Sequence, residues 1–185
     1  SGGDVRATFS VDQPGAWLVQ VLATVDTGPR PVLEAYVHAG SAPPLRFSET
    51  PAPGEDAAPE GTAGENALLA MVNAARKGEN LTPLVLDPAL SAVALEHSKL
   101  MLAKRSVGHD VGDGDPGSRM RAAGIVYRSS GENVAGASSL KRAHRALWAS
   151  PSHRKNLLEG RFSRLGLGVV TDETNRVWVT QLFAD

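Results

Sequence analysis

Asp87-Pro-Ala-Leu-Ser-Ala-Val-Ala-Leu-Glu-His-Ser-Lys-Leu-Met101 carries the clearest helical pattern in the chain. Asp87 is a favourable N-cap, and the proline after it suits the first helical position. Apolar side chains then recur every three or four residues and form one stripe that includes His97 and Met101. The pattern predicts a helix from Pro88 to about Arg105. Similar patterns predict helices over Glu65–Lys77, Ser118–Ala123 and Ser139–Ala149.

The last part of the chain changes to the pattern of β-strands. Leu165–Thr171 and Arg176–Phe183 are rich in β-branched and aromatic residues, and the turn Asp172-Glu-Thr-Asn175 joins them. Tyr127–Ala137 is also predicted to be extended. Helices followed by an antiparallel hairpin indicate an α+β fold.

The first 63 residues have a different composition. Residues 1–40 alternate with a period of two, and three strands, Val5–Val11, Ala16–Val25 and Val32–His38, are separated by turn residues. We therefore expect a small antiparallel all-β module over 1–40, which would be the end of a larger domain. Pro/Ala-rich residues 41–63 are predicted to be a linker, and 64–185 a second domain.

Composition excludes several classes of protein. The 185 residues carry 19 basic and 20 acidic side chains, a formal charge of −1, which argues against specific nucleic-acid binding. No apolar run approaches the roughly 18 residues of a membrane-spanning helix, and the polar start is not a signal peptide. The chain has no cysteine, so a disulfide framework and a thiolate metal site are both excluded.

Three residues outside the apolar stripes form a candidate site. His109 lies in a glycine- and aspartate-rich loop, His153 directly follows a predicted helix, and Glu132 follows Gly131. Two imidazoles and a carboxylate are suitable ligands for zinc or another divalent ion, with positions left for water. Their spacing alone does not distinguish a metal site from separate surface residues. His97 and His144, by contrast, lie on apolar stripes, where a core histidine bonded to a neighbour is expected.

Two further patterns suggest chemistry but are better explained otherwise. Asp110, Asp113 and Asp115 suggest a calcium loop, but their spacing is not that of an EF-hand, and a solvated turn is expected. Ser150 and Ser152 precede His153 without a nucleophile-elbow motif, which argues against serine catalysis.

Residues from about 65 to 184 resemble the bacterial branch of the CAP superfamily, also called SCP-like, which includes cysteine-rich secretory proteins, antigen 5 and pathogenesis-related proteins. The resemblance rests on several motifs that occur in the family's order. They are Leu68-Leu-Ala-Met-Val-Asn-Ala-Ala-Arg76, Leu84-Val-Leu-Asp-Pro-Ala-Leu-Ser91, Gly108-His109, Arg119-Met-Arg-Ala-Ala-Gly124, Gly131-Glu-Asn-Val-Ala135, Trp148-Ala-Ser-Pro-Ser-His-Arg-Lys-Asn-Leu157 and Trp178-Val-Thr-Gln-Leu-Phe183.

The resemblance implies an α-β-α sandwich with a central antiparallel sheet in an exported protein. It also implies a cleft with two histidines and two glutamates, to which His109, His153 and Glu132 correspond. The second glutamate is missing, because Trp148 is followed by Ala149-Ser-Pro151. Members of the family have been linked to sterol or fatty-acid binding, zinc binding, signalling and proteolysis, so the resemblance indicates the fold more strongly than the activity.

These observations favour a secreted, periplasmic or cell-surface binding protein without catalytic activity. Its His/Glu cleft would take a divalent metal or a small polar ligand, and an apolar groove would take a lipid. One alternative is a metal-dependent hydrolase in which Glu132 is a ligand or general base, although no H-E-x-x-H motif is present. The other is a cell-surface interaction protein that uses the β module. A lipid, a glycan or another protein is the expected partner.

Overall fold

The computed structural model describes residues 6–25, 28–43, 50–59 and 62–185. The chain divides into two compact units, Ser1–Glu49 and Thr50–Asp185. The first unit contains an antiparallel pair, β1 (Gly15–Val25) and β2 (Gly28–Ala39), in which Trp17 pairs with Val37 and Leu18 with Tyr36.

The first unit differs from its prediction at one strand. Residues 6–11 of the predicted strand Val5–Val11 have no regular structure, and Val5 lies outside the described residues. The alternation there is real, but no neighbouring strand is paired with it among the residues described. Alternation alone does not make a strand, because a strand is stabilised by the cross-strand partners that receive its hydrogen bonds.

The second unit begins before residue 64. Ala52 and Glu55 are buried, so residues 50–59 of the predicted linker 41–63 belong to this unit. Arg145 donates to both carboxylate oxygens of Glu55, at 2.9 and 2.6 Å. Gly54, at φ +80°, allows a close approach in which a Cβ atom would lie 2.3 Å from the carbonyl oxygen of Met71. Proline and alanine in this segment therefore serve packing as well as extension.

Five helices and four strands form the second unit as far as it is described. In chain order they are α1 (Gly64–Gly78), β3 (Val85–Leu86), α2 (Pro88–Lys104), α3 (Pro116–Ala122), β4 (Ser130–Ala137), α4 (Leu140–Ala149), α5 (Pro151–Leu157), β5 (Arg164–Thr171) and β6 (Val177–Ala184). The sheet order is β3-β5-β6-β4, and every pair is antiparallel except the short β3–β5 pair.

Helices cover both faces of this sheet. One apolar cluster joins α1, α4 and α5 to it through residues that include Leu68, Leu147 and Phe183. A second cluster joins α2 and α3 to it through residues that include Leu90 and Met120. All eight residues of β6 are buried, as expected for a strand covered on both sides. The predicted α+β class and the α-β-α sandwich are confirmed.

Two glycines allow α2 to lie directly on the sheet. A Cβ atom on Gly166 would lie 2.3 Å from the carbonyl carbon of Leu90, and one on Gly168 would lie 2.3 Å from that of Ala94. Ser98 then reaches the sheet and donates to the carbonyl of Gly168 at 3.0 Å. This close packing fixes the position of α2, which carries His97.

Candidate functional site

Glu132 on β4 is the centre of the candidate site. Its side chain is only 1% exposed, and both carboxylate oxygens have partners. Oε1 lies 2.7 Å from Nδ1 of His109, and Oε2 accepts a hydrogen bond from Nη2 of Arg119. The sequence-based prediction that His109 and Glu132 share a site therefore agrees with a direct contact. A carboxylate on Nδ1 fixes the orientation of an imidazole and leaves Nε2 as the ring nitrogen for a ligand.

Arg119 is the functional residue that sequence reasoning missed. Asp115 caps α3 by accepting from the backbone N–H of Ser118 at 3.0 Å, and the helix places Arg119 beside the loop. Nη1 of Arg119 donates to the carbonyls of His109 and Gly114 at 2.7 and 2.5 Å. Arg119 therefore binds the backbone that carries His109 and the carboxylate that orients its ring. The sequence did contain a signal for Arg119, which is a basic residue one turn into a helix that follows an acidic loop.

The loop before α3 is ordered by its own carboxylates. Asp110 accepts from the backbone N–H groups of Gly112 and Gly114 at 2.8 and 3.2 Å, and these bonds lower the pKa of Asp110. The hydrogen bond from the Ser118 hydroxyl has the largest effect on the pKa of Asp115 and lowers it. Asp110 and Asp115 thus close turns at the two ends of the loop.

His97 on α2 lies within hydrogen-bond distance of two residues of the same loop. It is 1% exposed, as expected for a core histidine bonded to neighbours. Nδ1 lies 2.6 Å from Oδ2 of Asp113, and Nε2 lies 2.8 Å from the carbonyl oxygen of Gly108. Asp113 is therefore paired with a buried residue, while its side chain stays 23% exposed in the predicted turn. Gly108, one of the two residues in contact with His97, directly precedes His109.

The backbone of His153 is held against the strand of Glu132 by the packing of α5 against β4. The amide of Asn133, next to Glu132, donates to the carbonyl of His153 at 3.1 Å. The amide of Asn156 donates to the carbonyl of Glu132 at 3.1 Å. These bonds place the half-buried His153 on the helix that lies beside the strand of Glu132.

The contacts of Glu132 disfavour a metal ion at this carboxylate. Each of its oxygens already has a partner, His109 or Arg119, and the guanidinium compensates the negative charge. Across the described residues, no group of three or more His, Asp or Glu side chains is placed to hold a metal. The set His109, Glu132 and His153 stays a prediction as a metal site.

His144 is a core residue, as its stripe predicts. Its Nε2 lies 2.9 Å from the carbonyl oxygen of Pro53, and burial lowers its pKa. Nδ1 of His144 is buried without a hydrogen-bond partner among the described residues. His144 therefore takes no part in the candidate site.

Known proteins match the second unit. The model of the CAP cysteine-rich secretory protein family matches residues 69–183. "Uncharacterized protein YkwD" of Bacillus subtilis is 34% identical over 122 residues, which are 65% of this chain and 47% of that protein. The chain thus spans about half the length of this curated relative.

Two solved structures have the same fold over this region. An extracellular protein containing a SCP domain from Bacillus anthracis is 32% identical with a TM-score of 0.57, covering 63% of this chain and 38% of that chain. An outer surface protein from Borrelia burgdorferi is 24% identical with a TM-score of 0.60, covering 64% of this chain and 89% of that chain. The second likeness concerns the fold alone.

Proposed function

Because the chain belongs to the CAP family of cysteine-rich secretory proteins, we propose that it is an exported binding protein whose cleft takes a small polar ligand. The proposed cleft is centred on His109, Glu132 and Arg119, which are in direct contact, and we include His153 on the neighbouring helix α5 in it. The solved Bacillus anthracis relative is described as extracellular, which supports export. No helix in the described part of the chain is long and apolar enough to cross a membrane.

The pairing of Glu132 carries the proposal. A glutamate that acts as a general base must offer an oxygen to the reacting proton. Both oxygens of Glu132 are instead paired, and its side chain is 1% exposed. Glu132 is therefore placed to orient His109, whose side chain is 19% exposed and is the part of the pair that a ligand can contact. This arrangement favours binding over catalysis by Glu132.

The charges of the cleft favour an anionic ligand over a divalent cation. Arg119 already neutralises Glu132, so a metal would approach a carboxylate whose charge is compensated. The two imidazoles of His109 and His153 add positive charge when they are protonated and none otherwise. A carboxylate group, which accepts a hydrogen bond from the N–H of a protonated ring, is thus the ligand class that we expect.

Lipid binding is a second candidate, and a different part of the second unit supports it. A cavity of about 460 Å³ lies between the starts of α1 and α4 and the ends of β5 and β6 that face them. Its lining is mainly apolar and includes Met71, Leu140, Val169 and Val177, with Lys141 as its basic member. Such a lining suits an acyl chain with an anionic head. A fatty acid would bind here independently of His109.

Amide-detected NMR titration tests the proposed cleft. Sodium acetate is added to the native protein and to the double variant His109→Ala/His153→Ala, with His38→Ala as a matched histidine control. We expect saturable shifts around residues 106–119 and 130–134 in the native protein and the control, and their loss in the double variant. Separate titration with zinc chloride is expected to give no stoichiometric binding. Tight zinc binding that the double variant loses, or no acetate response in the native protein, would overturn the proposal.

A further inference from the structure

His97 has two hydrogen-bond partners that can only accept. The carbonyl oxygen of Gly108 has no proton to give, and an ionised carboxylate such as that of Asp113 is also an acceptor. A neutral imidazole has a single N–H group, so it can satisfy one of these partners but not both. We propose that His97 is a buried imidazolium that positions the His109 loop, so that loss of its proton weakens ligand binding in the cleft. This inference rests on the proposed function of that cleft.

The surroundings place the proton on His97 rather than on Asp113. Oδ1 of Asp113 lies 3.6 Å from Nη1 of Arg119 and 3.4 Å from the backbone nitrogen of Val111. Both groups stabilise a negative carboxylate. A protonated Asp113 would lose that stabilisation. Its proton would lie between Asp113 and the ring of His97, whose Nε2 still faces the carbonyl of Gly108. The ion pair His97⁺–Asp113⁻ satisfies all of these groups.

The pair is one end of a row of alternating charges. Asp113 lies between His97 and Arg119, and Arg119 lies between Asp113 and Glu132, which in turn orients His109. The row connects α2, the loop, α3 and β4. Removing the positive charge at His97 leaves Asp113 with one cationic neighbour and breaks one of the two bonds that hold the loop.

The other groups that face this part of α2 do not replace that charge. The carboxylates of Asp110 and Asp115, the other acids of the loop, accept hydrogen bonds from the backbone of Gly112 and Gly114 and from Ser118, respectively. On the sheet side, Ser98 contacts Gly168 and Thr180, which carry no charge. Among the described residues, His97, Asp113, Arg119 and Glu132 are thus the charged groups that decide the state of the loop. Since Gly108 precedes His109, a ring that releases the Gly108 carbonyl also loosens the ligand-binding histidine.

His144 provides an internal control for the protonation of His97. It is as buried as His97, but the contact described for it is to a single acceptor, the carbonyl of Pro53, and burial lowers its pKa. A neutral ring with the proton on Nε2 satisfies that contact. The two buried histidines should therefore give opposite nitrogen NMR signatures in one spectrum.

The experiment is nitrogen NMR of the full chain with labelled histidine, followed across about pH 5 to 9. Near neutral pH we expect both ring nitrogens of His97 to carry protons, and His144 to be neutral with its proton on Nε2. As His97 loses a proton, the amides of residues 106–113 should shift with the same midpoint. At a pH between the midpoints of the native protein and of Asp113→Asn, acetate affinity should be about tenfold lower in the variant, which corresponds to one hydrogen bond to a charged group.

Two variants separate a positioning role from a general effect on folding. Asp113→Asn removes the charge that stabilises the imidazolium and should move the midpoint of the loop transition to lower pH. His144→Gln should leave that midpoint unchanged. A neutral His97 with one bare nitrogen throughout the range, or loop amides that do not follow its titration, would overturn the inference. If the native protein does not bind acetate while His97 is doubly protonated, the proposed function fails, whereas a neutral His97 in an acetate-binding protein refutes only this inference.

Discussion

Replacing Arg119 by glutamine tests whether the buried ion pair holds the cleft together. The side chains of Arg119 and Glu132 are 8% and 1% exposed, so the variant leaves a buried carboxylate without its cationic partner. Loss of one member of such a pair costs about 3–5 kcal/mol. Arg119 also donates to the carbonyls of His109 and Gly114, but the ring of His109 remains as a partner of Glu132. We expect a loss of about 3 kcal/mol, at the lower end of that range.

The assay is urea unfolding with the same slope fitted to each variant. Lys141→Met is the matched control, because Lys141 and Asp56 form an exposed ion pair with side chains that are 53% and 78% exposed. Such pairs contribute about 0–1 kcal/mol. The double variant Arg119→Gln/Glu132→Gln should lose less than the sum of its single variants, since it buries no unpaired charge. If Arg119→Gln costs no more than the Lys141 control, the ion pair does not organise the cleft.

Two further predictions concern packing and acid stability. Gly168→Ala should lower the free energy of unfolding by about 1–3 kcal/mol or more, because its Cβ would overlap the backbone of Ala94. Gly78→Ala, with open space at its Cβ, should not lower it. Equal urea midpoints for the two variants would refute the close packing of α2. Hydrogen bonding by Arg145 lowers the pKa of Glu55 from 4.5 to about 2, so the stability that this carboxylate contributes is present above pH 4.5 and lost as the pH falls towards 2. Glu55→Gln should therefore flatten the fall of Tm over that range, and an unchanged acid limb would show that segment 50–59 is not held by this pair.

Helices α1 to α4 and the final hairpin were predictable because their signals are local, whereas α5, which contains His153, was not predicted. The stripe from Leu90 to Met101 and the cap at Asp87 lie within a few turns of chain, and the predicted bounds of α2 differ from the observed ones by one residue. The predicted start of β5 is one residue too late, and the predicted start and end of β6 are each one residue too early. Periodicity and capping suffice where an element determines its own ends.

Long-range contacts were harder to predict. Arg119 and Glu132 are 13 residues apart, and His97 and Asp113 are 16 apart, with no spacing rule that joins them. Whether an acidic loop faces solvent or a buried cation depends on how α2 and α3 pack, which neither segment encodes alone. Glu55 was assigned to a linker for the same reason, because its partner Arg145 lies 90 residues later.

The resemblance to the CAP family indicated the candidate site residues, and the structure adds Arg119 to them. His109 and Glu132 are in direct contact, as the family motifs imply. The second glutamate is absent after Trp148, and Arg119 instead compensates Glu132. A site with one acid paired to an arginine has less affinity for a divalent cation than a site with two unpaired acids. The missing glutamate and the presence of Arg119 thus both favour an anionic ligand over a divalent cation.

The tautomer of His109 is the most direct test of the proposed cleft. In nitrogen NMR near pH 7.5, where an ordinary imidazole is mostly neutral, we expect the proton of His109 on Nδ1, facing Glu132, and Nε2 without a proton. In Glu132→Gln the proton should return largely to Nε2, the usual position in a neutral imidazole. A native His109 with its proton on Nε2 would contradict the orientation of its ring by Glu132.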